Sequence, residues 1–176
     1  MKVSEITEIL DKWMPISIAE DFDNVGLLVG DLNSEVKNIL VTLDTTLNVV
    51  DEALDKDCNL IVSYHPIIFN GLKKITTDSG YVQKSVIKAV KNNISVYAIH
   101  TSLDNHPEGI SYFLSKSITL SKIKSEDRNV SLIPIPDKTP IDDKHPALIP
   151  SKISFCVSPT LTTCFALTIS FRSISL

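Results

Sequence analysis

The amino-acid sequence predicts an α/β fold built on a parallel sheet, and three features carry that prediction. Short apolar runs rich in Val, Ile and Leu recur at residues 38–43, 60–64 and 94–99. Segments with helical periodicity lie between them, at 47–56 and 81–91. The resulting strand–helix–strand–helix–strand order calls for parallel strands joined by crossovers, and continuously apolar strands belong to a sheet covered on both faces.

Taken in order, residues 3–13 place Val3, Ile6, Ile9, Leu10 and Trp13 at helical spacing. Ser4 is a plausible cap, and Glu5 and Glu8 suit the positive end of that helix. Residues 21–26 have turn chemistry and lead into a short apolar run at 27–29. The run at 38–43 ends at Asp44. Thr45 or Thr46 then caps a helix whose buried face is Val49, Val50, Ala53 and Leu54. The run at 60–64 ends at His65-Pro66. A loop containing Gly71 and Gly80 follows, then a helix with Val82, Val86, Ala89 and Val90 inward. The third run ends at His100, and a last helix is expected over 107–116 with Ile110, Phe113 and Leu114 inward.

The character of the chain changes near Lys122. Six of the nine prolines fall between Pro134 and Pro159, no glycine follows Gly109, and no acid follows Asp143. Prolines at this density break strands and helices. The expected division is therefore an α/β domain over 1–120 and an irregular Pro/Ser/Thr-rich tail over 121–176, with 153–157 strand-like.

Composition narrows the function classes. A net charge of -4 gives no electrostatic reason to expect direct nucleic-acid binding. Cys58, Cys156 and Cys164 form no C-x-x-C motif, so neither a zinc knuckle nor a thioredoxin-type pair is supported. Their sparseness fits a reducing compartment, and the expected location is the cytoplasm, with the nucleus as alternative. The uncharged stretch between Lys152 and Arg172 is too rich in Ser and Thr for a membrane span, and the acids at Glu5, Glu8 and Asp11 argue against a targeting peptide.

Ligands of open parallel sheets bind beyond the carboxyl ends of the strands. Those ends carry Asp44, His65 and His100, with Asp104 four residues after His100. Imidazole and carboxylate together are a ligand set for zinc, iron, manganese or nickel. Each residue also has an ordinary reading. A single strand-end His is more often structural, Asp44 before two threonines reads foremost as a helix cap, and Asp104-Asn105 suits a helix entry. Tyr64 reads as a core aromatic, Lys73-Lys74 as a solvated pair that could meet a phosphate, and Asp23-Asn24-Val25-Gly26 as a turn.

Three strings in this order and spacing, DNVGLLVG (23–30), LIVSYHPIIFNGLKKI (60–75) and HTSLDNHPEGI (100–110), resemble the Nif-three family, also called GTP cyclohydrolase I type 2-like proteins. The resemblance covers roughly residues 1–120, the N-terminal half of that family. It implies a dinuclear metal site in an α/β protein that assembles into rings. His65 matches the second residue of the family's His-His pair and Asp104 the Asp of its His-Thr-x-x-Asp string, so both are expected as ligands of a divalent metal ion. Tyr64, His100 and Asp44 are expected beside them. Tyr64 stands where many bacterial members carry the first His, and the Ser-Tyr-His-Pro form resembles the eukaryotic branch. The family's closing His and Glu ligands come from a C-terminal motif. Nothing after Lys122 matches it: His145 is followed by Pro146 and lacks a Glu three or four positions on.

The resemblance implies a metal-dependent hydrolase of a small molecule or nucleotide, homo-oligomeric when complete. With two assured ligands the cation should be weakly held and the chain a poor catalyst. The rival reading is a regulatory module with a metal site and a protein partner, and the third is an inactive truncated product.

Overall fold

The computed structural model describes residues 1–111 and 154–157. Helix α1 spans Val3–Trp13, and a 3-10 turn follows at Ile16–Ile18. Strand β1 is Gly26–Val29, β2 Asn38–Thr42, α2 Leu47–Asp55, β3 Leu60–Ser63, α3 Tyr81–Lys91, β4 Ser95–Ala98, α4 His100–Asp104 and β5 Ser154–Val157. The strands form one sheet in the order β1-β4-β3-β2-β5. Strands β2, β3, β4 and β5 run parallel, while β1 pairs antiparallel with β4. The expected α/β fold with parallel crossovers is what the chain adopts, with an antiparallel strand on one edge. Strand β5 coincides with the strand-like run at 153–157. The other expectations for residues beyond 111, including most of the helix at 107–116, lie outside the described residues.

Side-chain alternation along the central strands divides the core into two layers. Ile39, Val41, Leu60, Val62 and Tyr97 face one side, where Val3 and Ile6 of α1 and Leu103 of α4 cover them. Leu40, Ile61 and Val96 face the other, against Val49, Val50 and Ala53 of α2 and Val86 and Ala89 of α3. Burial on both faces explains why these strands read as continuous apolar runs. Tyr97 keeps its hydroxyl satisfied inside this core by donating to Asp11 of α1.

Several local expectations need correction. Ser4 does not cap α1. Lys2 holds that position, and its N–H donates to Glu5 Oε2 at 2.6 Å. Of the two candidate caps for α2, Thr46 does the work, accepting from the Val49 N–H at 3.3 Å. Leu54 and Val90 were expected inward but are 38% and 57% exposed. Helical geometry turns about 100° per residue, so a face centred on Val50 and Ala53, or on Val86 and Ala89, rotates the next residue toward solvent. Residues 107–109 form a turn closed by Gly109 N–H to the His106 carbonyl at 2.8 Å, so the expected last helix does not begin at Pro107.

Helices α2 and α3 end alike. Asp57 and Asn93 take positive φ, and the N–H groups of Cys58 and Ile94 reach back to the carbonyls of Ala53 and Ala89. This is a Schellman termination without glycine, and it drops the chain directly into β3 and β4. Gly30 solves a different problem. Its φ is +123°, and a Cβ there would lie 2.7 Å from the Ser95 Cα at the start of β4. The turn out of β1 therefore needs both glycine's backbone freedom and its lack of a side chain. Gly30→Ala should destabilise the fold by about 2 kcal/mol or more, read as a lower urea midpoint. An unchanged midpoint would show that β1 and β4 separate without cost.

Candidate functional site

The parallel ladder continues past the ends of the strands and levels them. The Tyr64 N–H donates to the Thr42 carbonyl at 3.0 Å and the His65 N–H to the Leu43 carbonyl at 2.9 Å. Just past the end of β4, the His100 N–H donates to the Tyr64 carbonyl at 2.9 Å. The Ser63 hydroxyl donates to the His65 carbonyl at 2.9 Å, fixing the turn into Pro66. These bonds bring Asp44, Tyr64, His65 and His100 to one edge, and α4 brings Asp104 back to it.

The aromatic rings of Tyr64, His65 and His100 are mutual neighbours. Ring centroids are 4.7 Å apart for Tyr64 and His65, 5.2 Å for Tyr64 and His100, and 5.5 Å for the two histidines. Each ring is anchored by a carboxylate. His65 Nδ1 lies 2.8 Å from Asp44 Oδ1. His100 Nδ1 lies 2.9 Å from both oxygens of Asp23. The Tyr64 hydroxyl donates to Asp104, at 2.8 Å and 2.9 Å from its two oxygens. A carboxylate only accepts, so Nδ1 of both histidines carries the proton and Nε2 is the nitrogen left for a ligand.

Asp44 thus answers His65 and does not cap α2, contrary to the capping role that its position before two threonines suggested. Asp104 likewise does not open a helix: it is the last residue of α4. Asp23 is the residue that sequence reasoning missed. Its side chain is 0% exposed, and it accepts from His100, from the Thr101 N–H at 3.0 Å, from the Thr101 hydroxyl, and from the Asn24 N–H at 2.8 Å. Burial pushes its carboxyl up, but these bonds together outweigh burial and hold it below the usual carboxylate range. Next to it, Asn24 Nδ2 donates to the Ile68 carbonyl at 2.5 Å, tying the first motif string to the second. The only sequence signal for Asp23 was its place in the DNVG string. Burial, then Asp104's hydrogen bond and charge, raise the Tyr64 hydroxyl above its ordinary pKa, so Tyr64 stays a neutral donor. Lys73 and Lys74 are exposed.

His65 and Asp104 offer an imidazole nitrogen and carboxylate oxygens, a donor set that zinc, iron, manganese and nickel accept. They fit as part of a metal site. Among the described residues, no group of three His, Cys, Asp or Glu side chains is arranged to hold a metal ion by itself. Among the described residues, too, no helix is long and apolar enough to cross a membrane.

Comparison with known proteins gives this edge a family context. The chain is 47% identical over 110 residues to a GTP cyclohydrolase 1 type 2 homolog of Clostridium acetobutylicum, a match covering 62% of this chain and 41% of that relative. The chain therefore spans about two fifths of the length of that curated relative. Its fold resembles the crystal structure of a Staphylococcus aureus hypothetical protein, with a TM-score of 0.62 and 40% identity, over 66% of this chain and 38% of that one. It also resembles a Bacillus cereus protein related to NIF3, with a TM-score of 0.62 and 38% identity, over 66% of this chain and 32% of that one. The family model for Duf34/NIF3 (NGG1p interacting factor 3) matches residues 1–163, which takes in β5 as well as all three motif strings. On a match of that extent, the chain belongs to the Duf34/NIF3 family.

Proposed function

We infer that the chain carries the N-terminal share of a divalent-metal site and that the site serves hydrolysis of a small, nucleotide-like molecule. The observation that carries this reading is the carboxylate behind each histidine. Metal-bound histidines usually hand their second ring N–H to a carboxylate, and ligating carboxylates are themselves hydrogen-bonded. His65 with Asp44, and Asp104 with the Tyr64 hydroxyl, follow that pattern. The purine-nucleotide substrate class is taken from the relatives' description as GTP cyclohydrolase 1 type 2 homologs.

In this reading His65 Nε2 and the Asp104 carboxylate hold the cation. Asp44 fixes the His65 ring, and the Tyr64 hydroxyl restrains Asp104. The first-His position of many bacterial members is filled by Tyr64, whose neutral hydroxyl is engaged with Asp104 and is a poor ligand. His100, held by Asp23, presents Nε2 beside the site as a hydrogen-bonding group for substrate. The bound cation supplies Lewis-acid polarisation of a substrate oxygen and acidification of water. Further ligands come from elsewhere, and assembly of several copies into a homo-oligomer is part of the proposal.

Metal content measured by elemental analysis should fall by more than half in His65→Ala and in Asp104→Ala. Full metal content in both, with circular dichroism unchanged, would remove the assignment. Tyr64→Phe keeps the ring and loses the bond to Asp104. It should weaken metal affinity by about tenfold in a competition titration with a chelator, and unchanged affinity would show that Tyr64 does not restrain the ligand. A separate prediction follows from Asp23. Its carboxyl is depressed in the folded chain, so its stabilising contribution is present above the unfolded value of 3.8 and fades as pH falls through the folded value. Asp23→Asn should therefore be less stable than the parent at neutral pH, with the gap closing below about pH 4. A gap that does not change with pH would exclude an ionised, stabilising Asp23.

A further inference from the structure

Cys58 and Cys156 are nearly a hundred residues apart in the chain, and the sheet brings their thiols together. Cys156 lies opposite Leu40 in the parallel pairing of β5 with β2. Residues paired across parallel strands point to the same face, and Leu40 faces the layer covered by α2 and α3. Cys58 belongs to that same layer. It follows the turn out of α2, its N–H returning to the Ala53 carbonyl at 2.7 Å, and it is 2% exposed. Cys156 packs against the layer and is only partly buried. The two thiols are within hydrogen-bonding reach of each other. The Cys58 thiol also donates weakly to the Lys56 carbonyl at 3.6 Å.

Their surroundings give the two sulfurs different tasks. Partial exposure lets a small molecule reach Cys156, while Cys58 is shielded. Burial, then the charge and hydrogen bond of Cys156, push the Cys58 thiol up to about 12. Cys58 is thus inert while Cys156 is a thiol. Once Cys156 is bonded to another sulfur its charge is gone, and one obstacle to ionising Cys58 goes with it. The Lys56 ammonium, paired with Glu52 at 2.6 Å, acts on both sulfurs and favours their thiolates.

We propose that Cys58 and Cys156 are a thiol–disulfide site that reacts with a small disulfide and closes into a bond fastening β5 to the body of the domain. Cys156, as the thiolate, attacks one sulfur of the small disulfide. The old S–S bond breaks, and the departing sulfur leaves with the electron pair and takes up a proton. Cys58 then loses its proton and attacks the Cys156 sulfur, expelling the second small thiol. Two protein thiols are oxidised by two electrons, and one small disulfide is reduced to two thiols that carry away the two protons. The bond holds β5 along β2, whose end delivers Asp44 to His65. In a reducing compartment the pair stays open and closes only under oxidative load.

Cys164 shares the tryptic peptide 153–172 with Cys156, so the test uses the full chain carrying Cys164→Ser. Treated with oxidised glutathione, this chain should lose both thiols. Peptide 57–73 should then appear joined to peptide 153–172 in the mass spectrum, at the summed mass less two hydrogens. Dithiothreitol should separate them. With Cys58→Ser added, glutathione should remain on Cys156. With Cys156→Ser added, Cys58 should stay unmodified in the folded chain. The closed form should unfold at a urea midpoint higher than that of the reduced form by about 1 M or more, because the bond constrains a long loop of the unfolded chain. A two-thiol chain that keeps both thiols, or that accumulates glutathione on Cys156 without joined peptides, overturns the proposal. Joined peptides confined to covalent dimers, or joined peptides with an unchanged urea midpoint, overturn it equally.

Discussion

The register of the three central parallel strands is the constraint on which the rest of the molecule depends. Leu60 lies opposite both Ile39 and Ser95, and Ser63 opposite both Thr42 and Ala98. Because the strands are level, their ends are level, and side chains far apart in the chain meet just beyond them. A slip of one residue in any strand would invert its inward and outward side chains, moving Leu40 or Ile61 into the wrong layer of the core. The burial that stabilises the sheet therefore also aligns the site. The cost of misalignment is borne by large apolar side chains remote from the chemistry.

Alignment of the backbone would not by itself orient the rings. That is left to carboxylates of two kinds. Asp44 is half exposed and engages His65 from the neighbouring strand end. Asp23 is fully enclosed and engages His100 from a loop, with several hydrogen bonds concentrated on one side chain. The enclosed carboxylate is the more rigid anchor, because an ionised group without solvent stays only where its donors are fixed. The loop carrying Asp23 is thus held to α4, and through Asn24 to the segment after β3. The three motif strings are fastened to one another by these bonds as well as being neighbours.

Much of this was legible in the sequence because it depends on local periodicity. The strands at 38–43, 60–64 and 94–99 and the two helices between them were fixed by runs of apolar residues that the fold needs on both faces. The positions of His65, His100 and Asp104 at one edge followed from where those runs stop. What could not be read was contact at long range. The meeting of Asp23 with His100 and Thr101 spans nearly eighty residues, and nothing in the DNVG string distinguishes a turn from a buried anchor. Asp44 departs from its local reading for the opposite reason: the capping rule is sound, but the second threonine, Thr46, satisfies it, and Asp44 turns to His65 instead. Leu54 and Val90 show the limit of periodicity itself, since apolar residues at the border of a helical face pass for core until the packing partner is known.

Strand β5 has a consequence for how the chain is made. Its partner β2 lies more than a hundred residues earlier, whereas β2, β3 and β4 are joined by crossovers of a single helix or of one loop and helix. Closing a short loop costs less conformational entropy and happens sooner than closing a long one. During synthesis the central strands can therefore assemble while β5 is still inside the ribosome, leaving the outer side of β2 as a bare edge with unpaired N–H and carbonyl groups. Such an edge invites strands from other nascent chains. The time between completion of β4 and arrival of β5 therefore sets how long that edge stays open.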